Sequence, residues 1–167
     1  MVARAGGALR MVVLVAALAL PTSAWAAGWL LVPSNDFGGD DTSVTVVRLT
    51  GKANVVTNSI GVKGIALTFP TTFPGLLGSV IDTVAVCYKT ANARTFITTT
   101  QLFEFVGPTG SILRHQDTTD HASTTDECYQ SAVADYAPQG LVQLHLLINF
   151  GDVNDVVSLG AIAVHFK

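Results

Sequence analysis

The chain has 167 residues, almost half of them apolar, and a formal charge of −3. That is enough chain to bury a core without relying on metals, and its mildly acidic balance leaves no electrostatic footprint for nucleic acid. No basic cluster suits an anionic membrane surface, and after Leu20 no long uninterrupted apolar run is left to span a bilayer.

The N-terminal segment carries Arg4 and Arg10 and no acid, then the apolar run Met11 to Leu20, then Pro21 and Ala24-Trp25-Ala26. A basic start, a short apolar run and an A-x-A site make the three-part pattern of a cleavable secretory signal. The run is about half the ~20 residues a spanning helix needs. We therefore expect residues 1–26 to be removed and the mature chain to begin at Ala27. Its balance would be seven basic against twelve acidic residues. Secretion, or residence in a periplasmic or extracellular space, follows as the expected location.

Beyond the signal the apolar period is two, not 3.6, as in half-buried strands. Strands are predicted over 29–32, 44–49, 54–57, 65–69, 80–89, 95–106, 111–115, 128–133, 141–150 and 156–166. Val, Thr, Ile and Phe dominate these runs and suit a pleated surface. In 141–150, Val142, Leu144, Leu146, Ile148 and Phe150 share one face, and Leu141, Gln143, His145, Leu147 and Asn149 the other. The Gly-Pro-Thr-Gly stretch at 107–110 predicts a hairpin, and 151–155 reads as another. No ten-residue stretch has a helical stripe, and short helical turns are compatible only with Leu76-Leu77 or Val133-Ala134. Eight to ten strands with one apolar face each predict one all-β domain over 27–167. The architecture expected is an antiparallel β-sandwich with jelly-roll or Greek-key connections.

Cys87 and Cys128 are the two cysteines. In an oxidising compartment such a pair forms a disulfide, the alternative being two separately buried thiols. Each cysteine precedes a tyrosine, Tyr88 and Tyr129. Alternation then puts the bridge on the outer face, joining neighbouring strands, with both tyrosines inside.

The densest polar stretch, 114–127, holds Asp117, Asp120, Asp126 and Glu127 with His115 and His121. Carboxylates on a loop can gather around calcium, and the histidines could recruit a transition metal. The bland alternative is a solvated loop whose Asp and Thr side chains satisfy turn backbone. A second acidic stretch, Asn35 to Asp41 around Gly38-Gly39, admits the same two readings. There is no G-x-S-x-G, H-E-x-x-H or C-x-x-C. Glu104, the one acid inside the predicted strand 95–106, reads as an exposed residue. His145 and His165 read as solvent-facing or marginal. Trp29, Tyr129 and Tyr136 are the aromatic residues considered for a sugar platform.

These features are similar in class to exported bacterial single-domain β-sandwich proteins, a likeness that carries no residues across. The leading expectation is a non-enzymatic module that binds a carbohydrate or other surface ligand through its loops. A structural or assembly subunit is the second reading, because Leu141 and Leu147 make the strand 141–150 apolar on both faces. Such a subunit would have a protein partner or self-associate. A jelly-roll hydrolase or lyase using the acidic loop is the third.

Overall fold

The computed structural model describes residues 28–40, 42–71 and 78–167. The expected signal segment, its processing site and the possible turn at 76–77 lie outside the described residues. The strands are β1 (Gly28–Val32), β2 (Gly38–Gly39), β3 (Val44–Leu49), β4 (Lys52–Thr57), β5 (Gly61–Pro70) and β6 (Ile81–Thr90). They continue with β7 (Phe96–Phe105), β8 (Ser111–Asp117), β9 (Glu127–Tyr136), β10 (Leu141–Phe150) and β11 (Val156–Phe166). A single 3-10 turn, Ser34–Asp36, precedes β2.

The protein is an all-β sandwich of two antiparallel sheets. One has the order β3-β4-β11-β6-β9, with β1 also on β11, and the other β2-β5-β10-β7-β8. After the β3–β4 hairpin the chain alternates between sheets except at the β7–β8 hairpin, so β10 enters between β5 and β7 while β11 enters between β4 and β6. This nesting gives the jelly-roll-like order. The β7–β8 hairpin forms as expected, closed by Val106 N–H on Gly110 O at 3.0 Å. Gly107 takes its positive φ of 95° there, a conformation that suits glycine.

Two local expectations are corrected. Residues 151–155 do not close a hairpin, because β10 and β11 lie in different sheets and the segment arches between them. Val133 and Ala134 sit inside β9 rather than in a helical turn. The eleventh strand, β2, consists of two glycines and offers no side-chain alternation to read.

The core is the alternation made solid. Val142, Leu144, Leu146 and Ile148 on β10 face Val84, Val86, Ile162 and Val164 of the other sheet, all fully buried. Each such side chain contributes about 1.5–3 kcal/mol on leaving water. β11 keeps an apolar inner face along its length through a bulge at Gly160-Ala161. The register against β6 jumps from Leu159 to Ile162 there, so Val157 and Leu159 before it and Ile162, Val164 and Phe166 after it all point inward.

Cys87 and Cys128 are directly opposed on β6 and β9 and form a disulfide. The bridge is on the outer face, while Tyr88 and Tyr129 are buried behind it with ring centroids 5.7 Å apart. The bond therefore joins two strands of one sheet.

Candidate functional site

The outer face of the five-stranded sheet is where chemistry-bearing side chains converge. Alternation sends Gln143 and His145 outward from β10, and Gln101, Phe103 and Phe105 outward from β7. Register then sets the neighbours. His145 lies between Ala66 of β5 and Gln101 of β7, Gln101 beside Gln116 of β8, Gln143 between Thr68 and Phe103, and Phe105 beside Ser111.

Asp40 arrives from β2, its N–H on Gly64 O at 3.0 Å. Its carboxylate crosses Gly64 to bond Nε2 of His145. A β-carbon at Gly64 would collide with that carboxylate and sit 2.7 Å from Nε2 of His145. The contact therefore requires glycine at 64. Nδ1 of His145 meets Oε1 of Gln101 at 3.0 Å, and Nε2 of Gln101 donates to Oε1 of Gln116 at 3.1 Å. The Phe103 ring stands 6.1 Å from the imidazole centroid.

Together these residues line a shallow groove of about 260 Å³ running from Asp40 to Ser111. Two phenyl rings, neutral amides and a hydroxyl dominate it. The groove contains no lysine or arginine among the described residues. Among them, no hydrogen bond engages the Gln143 carbonyl oxygen or the Ser111 hydroxyl. A wider depression of about 450 Å³ lies on the opposite sheet beside the disulfide, where Lys52, Lys89, Asp126 and Glu127 mix both signs of charge around Gly160.

The acidic stretch is dispersed. β8 runs on to Asp117, two residues beyond the expected strand end, and turns that carboxylate inward. Asp117 accepts from Ser131 Oγ at 2.7 Å and Thr119 N–H at 2.9 Å. Burial pushes its pKa up, but the Ser131 and Thr119 bonds outweigh it and hold it below the ordinary value. Asp120 is exposed, and Asp126 and Glu127 lie past the crossing to the other sheet, at the start of β9. Among the described residues no three His, Cys, Asp or Glu side chains are grouped to hold a metal ion, so Asp117, Asp120, Asp126 and Glu127 do not form a calcium shell in this arrangement. The two acidic stretches do not converge: β2 and β8 are opposite edges of one sheet.

His115 Nε2, Ser131 Oγ and Asp117 form a chain of 2.7 Å contacts, but it is not a nucleophilic triad. The serine is the central member, buried, with its hydroxyl committed to the aspartate, and the histidine is not oriented by the acid. Burial also lowers the pKa of His115.

Glu104 is the clearest correction. It is fully buried, not exposed. Arg114 donates to its Oε2 from Nε at 2.8 Å and Nη2 at 2.7 Å, and Gln139 N–H donates to Oε1 at 2.5 Å. A register shift on β7 at Thr98 puts Ile97 inside before it, and Thr100, Leu102 and Glu104 inside after it.

The aromatic residues considered from sequence do not cluster. Trp29 is on β1 of the other sheet, 46% exposed and against His165 at 4.9 Å. Tyr129 is buried under a stacked His121 ring at 3.6 Å, and Tyr136 packs beneath Arg114 at 5.5 Å. His165 bonds Asp82 at 2.7 Å at the sheet margin. Sequence reasoning placed Gln143 and His145 on the correct outer face of the strand 141–150, but its exposed reading of Glu104 turned Gln101, Phe103 and Phe105 inward. What it lacked was the register that aligns those faces.

No protein-family model matches the chain. No curated protein matches it. Solved structures do share its fold. A carbohydrate-binding module, CBM36-1, of a multidomain xylanase from the hindgut metagenome of Trinervitermes trinervoides aligns with a TM-score of 0.52 at 7% identity, over 82% of this chain and 96% of that one. A point mutant of a family 29 carbohydrate-binding module aligns at 0.51 and 7% identity, over 84% and 92%. The CBM22-1–GH10 modules of Clostridium thermocellum xylanase 10B, complexed with xylohexaose, align at 0.53 and 14% identity, over 81% of this chain and 27% of that one. At such identities the likeness establishes the β-sandwich fold.

Proposed function

We propose that this protein is an exported, non-enzymatic carbohydrate-binding module that holds a neutral, linear glycan in the groove over Gln101, Phe103, Phe105 and Gln143. One observation carries the reading: two phenyl rings and two neutral amides share a groove on rigid, paired strands. Phenyl rings cover the C–H faces of a sugar, and amides match its hydroxyls. With no lysine or arginine among its described lining residues, and with His145 already engaged by the Asp40 carboxylate, the groove offers a glycan carboxylate little compensation. The groove crosses the strands from the β2 side to β8. Four inter-strand spacings of about 4.8 Å make it about 19 Å long, room for about three or four hexose rings. The shared fold with carbohydrate-binding modules supports this reading, and the 1–26 segment and the surface disulfide support export.

The test is affinity electrophoresis against soluble xylan, β-glucan and galactomannan, followed by calorimetry. At least one polysaccharide should retard the protein, and Phe103→Ala with Phe105→Ala should weaken binding by about tenfold or more. Trp29→Ala, on the other sheet, should leave binding unchanged. No retardation by any of the three, or full affinity in the double phenylalanine variant, overturns the proposal.

The assembly reading retains one observation. Val106, Ile112, Leu113 and Leu141 are exposed near Phe105, and Leu147 is only partly buried on the same outer face. A stable oligomer by light scattering, lost in Leu113→Ser with Leu141→Ser, would favour it.

A further inference from the structure

We infer that His145 is the positioning residue that sets the hydrogen-bond polarity of the groove, and that glycan binding is linked to the proton it carries. This inference rests on the carbohydrate reading of the same groove.

The argument is one of donors and acceptors. Nε2 of His145 faces the Asp40 carboxylate, which can only accept. That nitrogen therefore carries hydrogen. Nδ1 faces Oε1 of Gln101, whose Nε2 is committed to Oε1 of Gln116. An amide oxygen can also only accept, so Nδ1 carries hydrogen too. A ring with both nitrogens donating is the imidazolium. The row Asp40–His145–Gln101–Gln116 thus has a single direction, and it ends on the Gln116 N–H groups, which no hydrogen bond engages among the described residues.

Loss of the proton cannot be local. The carboxylate still demands a donor at Nε2, so Nδ1 becomes the acceptor. Gln101 must then turn its amide to present N–H to Nδ1, leaving its carbonyl toward Gln116. Gln116 must turn in response, and the row then ends in a carbonyl. The charge that holds Asp40 across Gly64 is also gone. The observed arrangement is therefore the acid form, and rearranging it is a cost that binding must meet.

Asp40 is the one charged or titratable group facing His145 among the described residues. β5 offers Gly64 and Ala66, β7 offers Gln101 and Phe103, and β10 itself presents Gln143 and Leu147 on this face. Lys63 points by alternation to the other face.

The experiment follows the His145 ring nitrogens and the Gln101 and Gln116 side-chain amides by ¹⁵N NMR as pH is raised. Affinity for xylohexaose and cellohexaose is measured over the same range. Affinity should fall by about tenfold as His145 loses its proton, and the two amides should shift in step with it. Gln101→Leu, checked for native spectral dispersion, interrupts the row and should make affinity independent of pH. Affinity that stays level while His145 titrates overturns the inference, as does an unchanged pH slope in Gln101→Leu. If neither hexasaccharide binds at any pH, the carbohydrate reading loses that support. The amides then decide the row alone: movement with His145 upholds it, and stationary amides overturn it.

Discussion

Glu104 and Arg114 offer the sharpest test of how this sandwich is held. The Glu104 side chain is 0% exposed and that of Arg114 34%. Arg114→Leu would leave a buried carboxylate with the Gln139 N–H as its remaining donor. Removing one partner of a buried ion pair costs about 3–5 kcal/mol, because the other charge is stranded. The guanidinium is partly solvated and one donor remains, so the lower end applies, about 3 kcal/mol. With a urea slope near 2 kcal/mol/M, the unfolding midpoint should fall by about 1.5 M. Glu104→Leu combined with Arg114→Leu should cost less than Arg114→Leu alone, because no charge is then left without a partner. A single Arg114→Leu substitution costing under about 1 kcal/mol would refute the reasoning.

Replacing Cys87 and Cys128 together by alanine opens a 41-residue loop and should lower stability by about 4 kcal/mol in the loop-entropy account, read by urea unfolding with and without reductant. Burial holds the pKa values of His115 and His121 below the ordinary histidine value. Their stabilisation should be complete above about pH 6.5 and be lost as pH falls through their lowered folded values, a trend that thermal melts across this range would show. His121 has a buried Nε2 without a hydrogen-bond partner among the described residues, so His121→Phe, which keeps an aromatic ring on Tyr129, should melt higher and flatten that slope. Gly64→Ala should displace Asp40 from His145 and weaken glycan binding by about tenfold without unfolding the sheet, a combination that calorimetry and circular dichroism can separate.

Strand existence was highly legible. The ten runs of period-two apolarity correspond to β1 and β3–β11, because one buried face per strand imposes that period. The outer-face disulfide followed from the same rule, with Tyr88 and Tyr129 carried inward. What alternation could not show was anything decided across strands. The Thr98 shift and the Gly160-Ala161 bulge each change the phase of a strand, and neither has a side-chain signature. The partner of a strand is also non-local, so 151–155 reads as a hairpin although β11 belongs between β4 and β6. Glu104 was misread for that reason: its burial depends on an arginine from β8 and a backbone N–H from 139.

The groove was hidden by a different property, the smallness of its floor. Gly38, Gly64 and Ala66 occupy the β2–β5 side of the outer face, so that side stands low while Phe103 and Phe105 rise from β7. In a sequence, small residues register as gaps in a pattern. The Gly38-Gly39 pair reads as a turn, Gly64 as a weak point in a strand, and Asp40 as one acid of a loop. Folded, the same gaps admit the Asp40 carboxylate to His145 and open one side of the groove. A site made of missing side chains and outward amides has no spacing motif, because its members come from five strands and meet only through register. The acidic residues and the tryptophan that do stand out in the sequence lie elsewhere, at 114–127 along and past one edge of this sheet and at Trp29 on a strand of the opposite one.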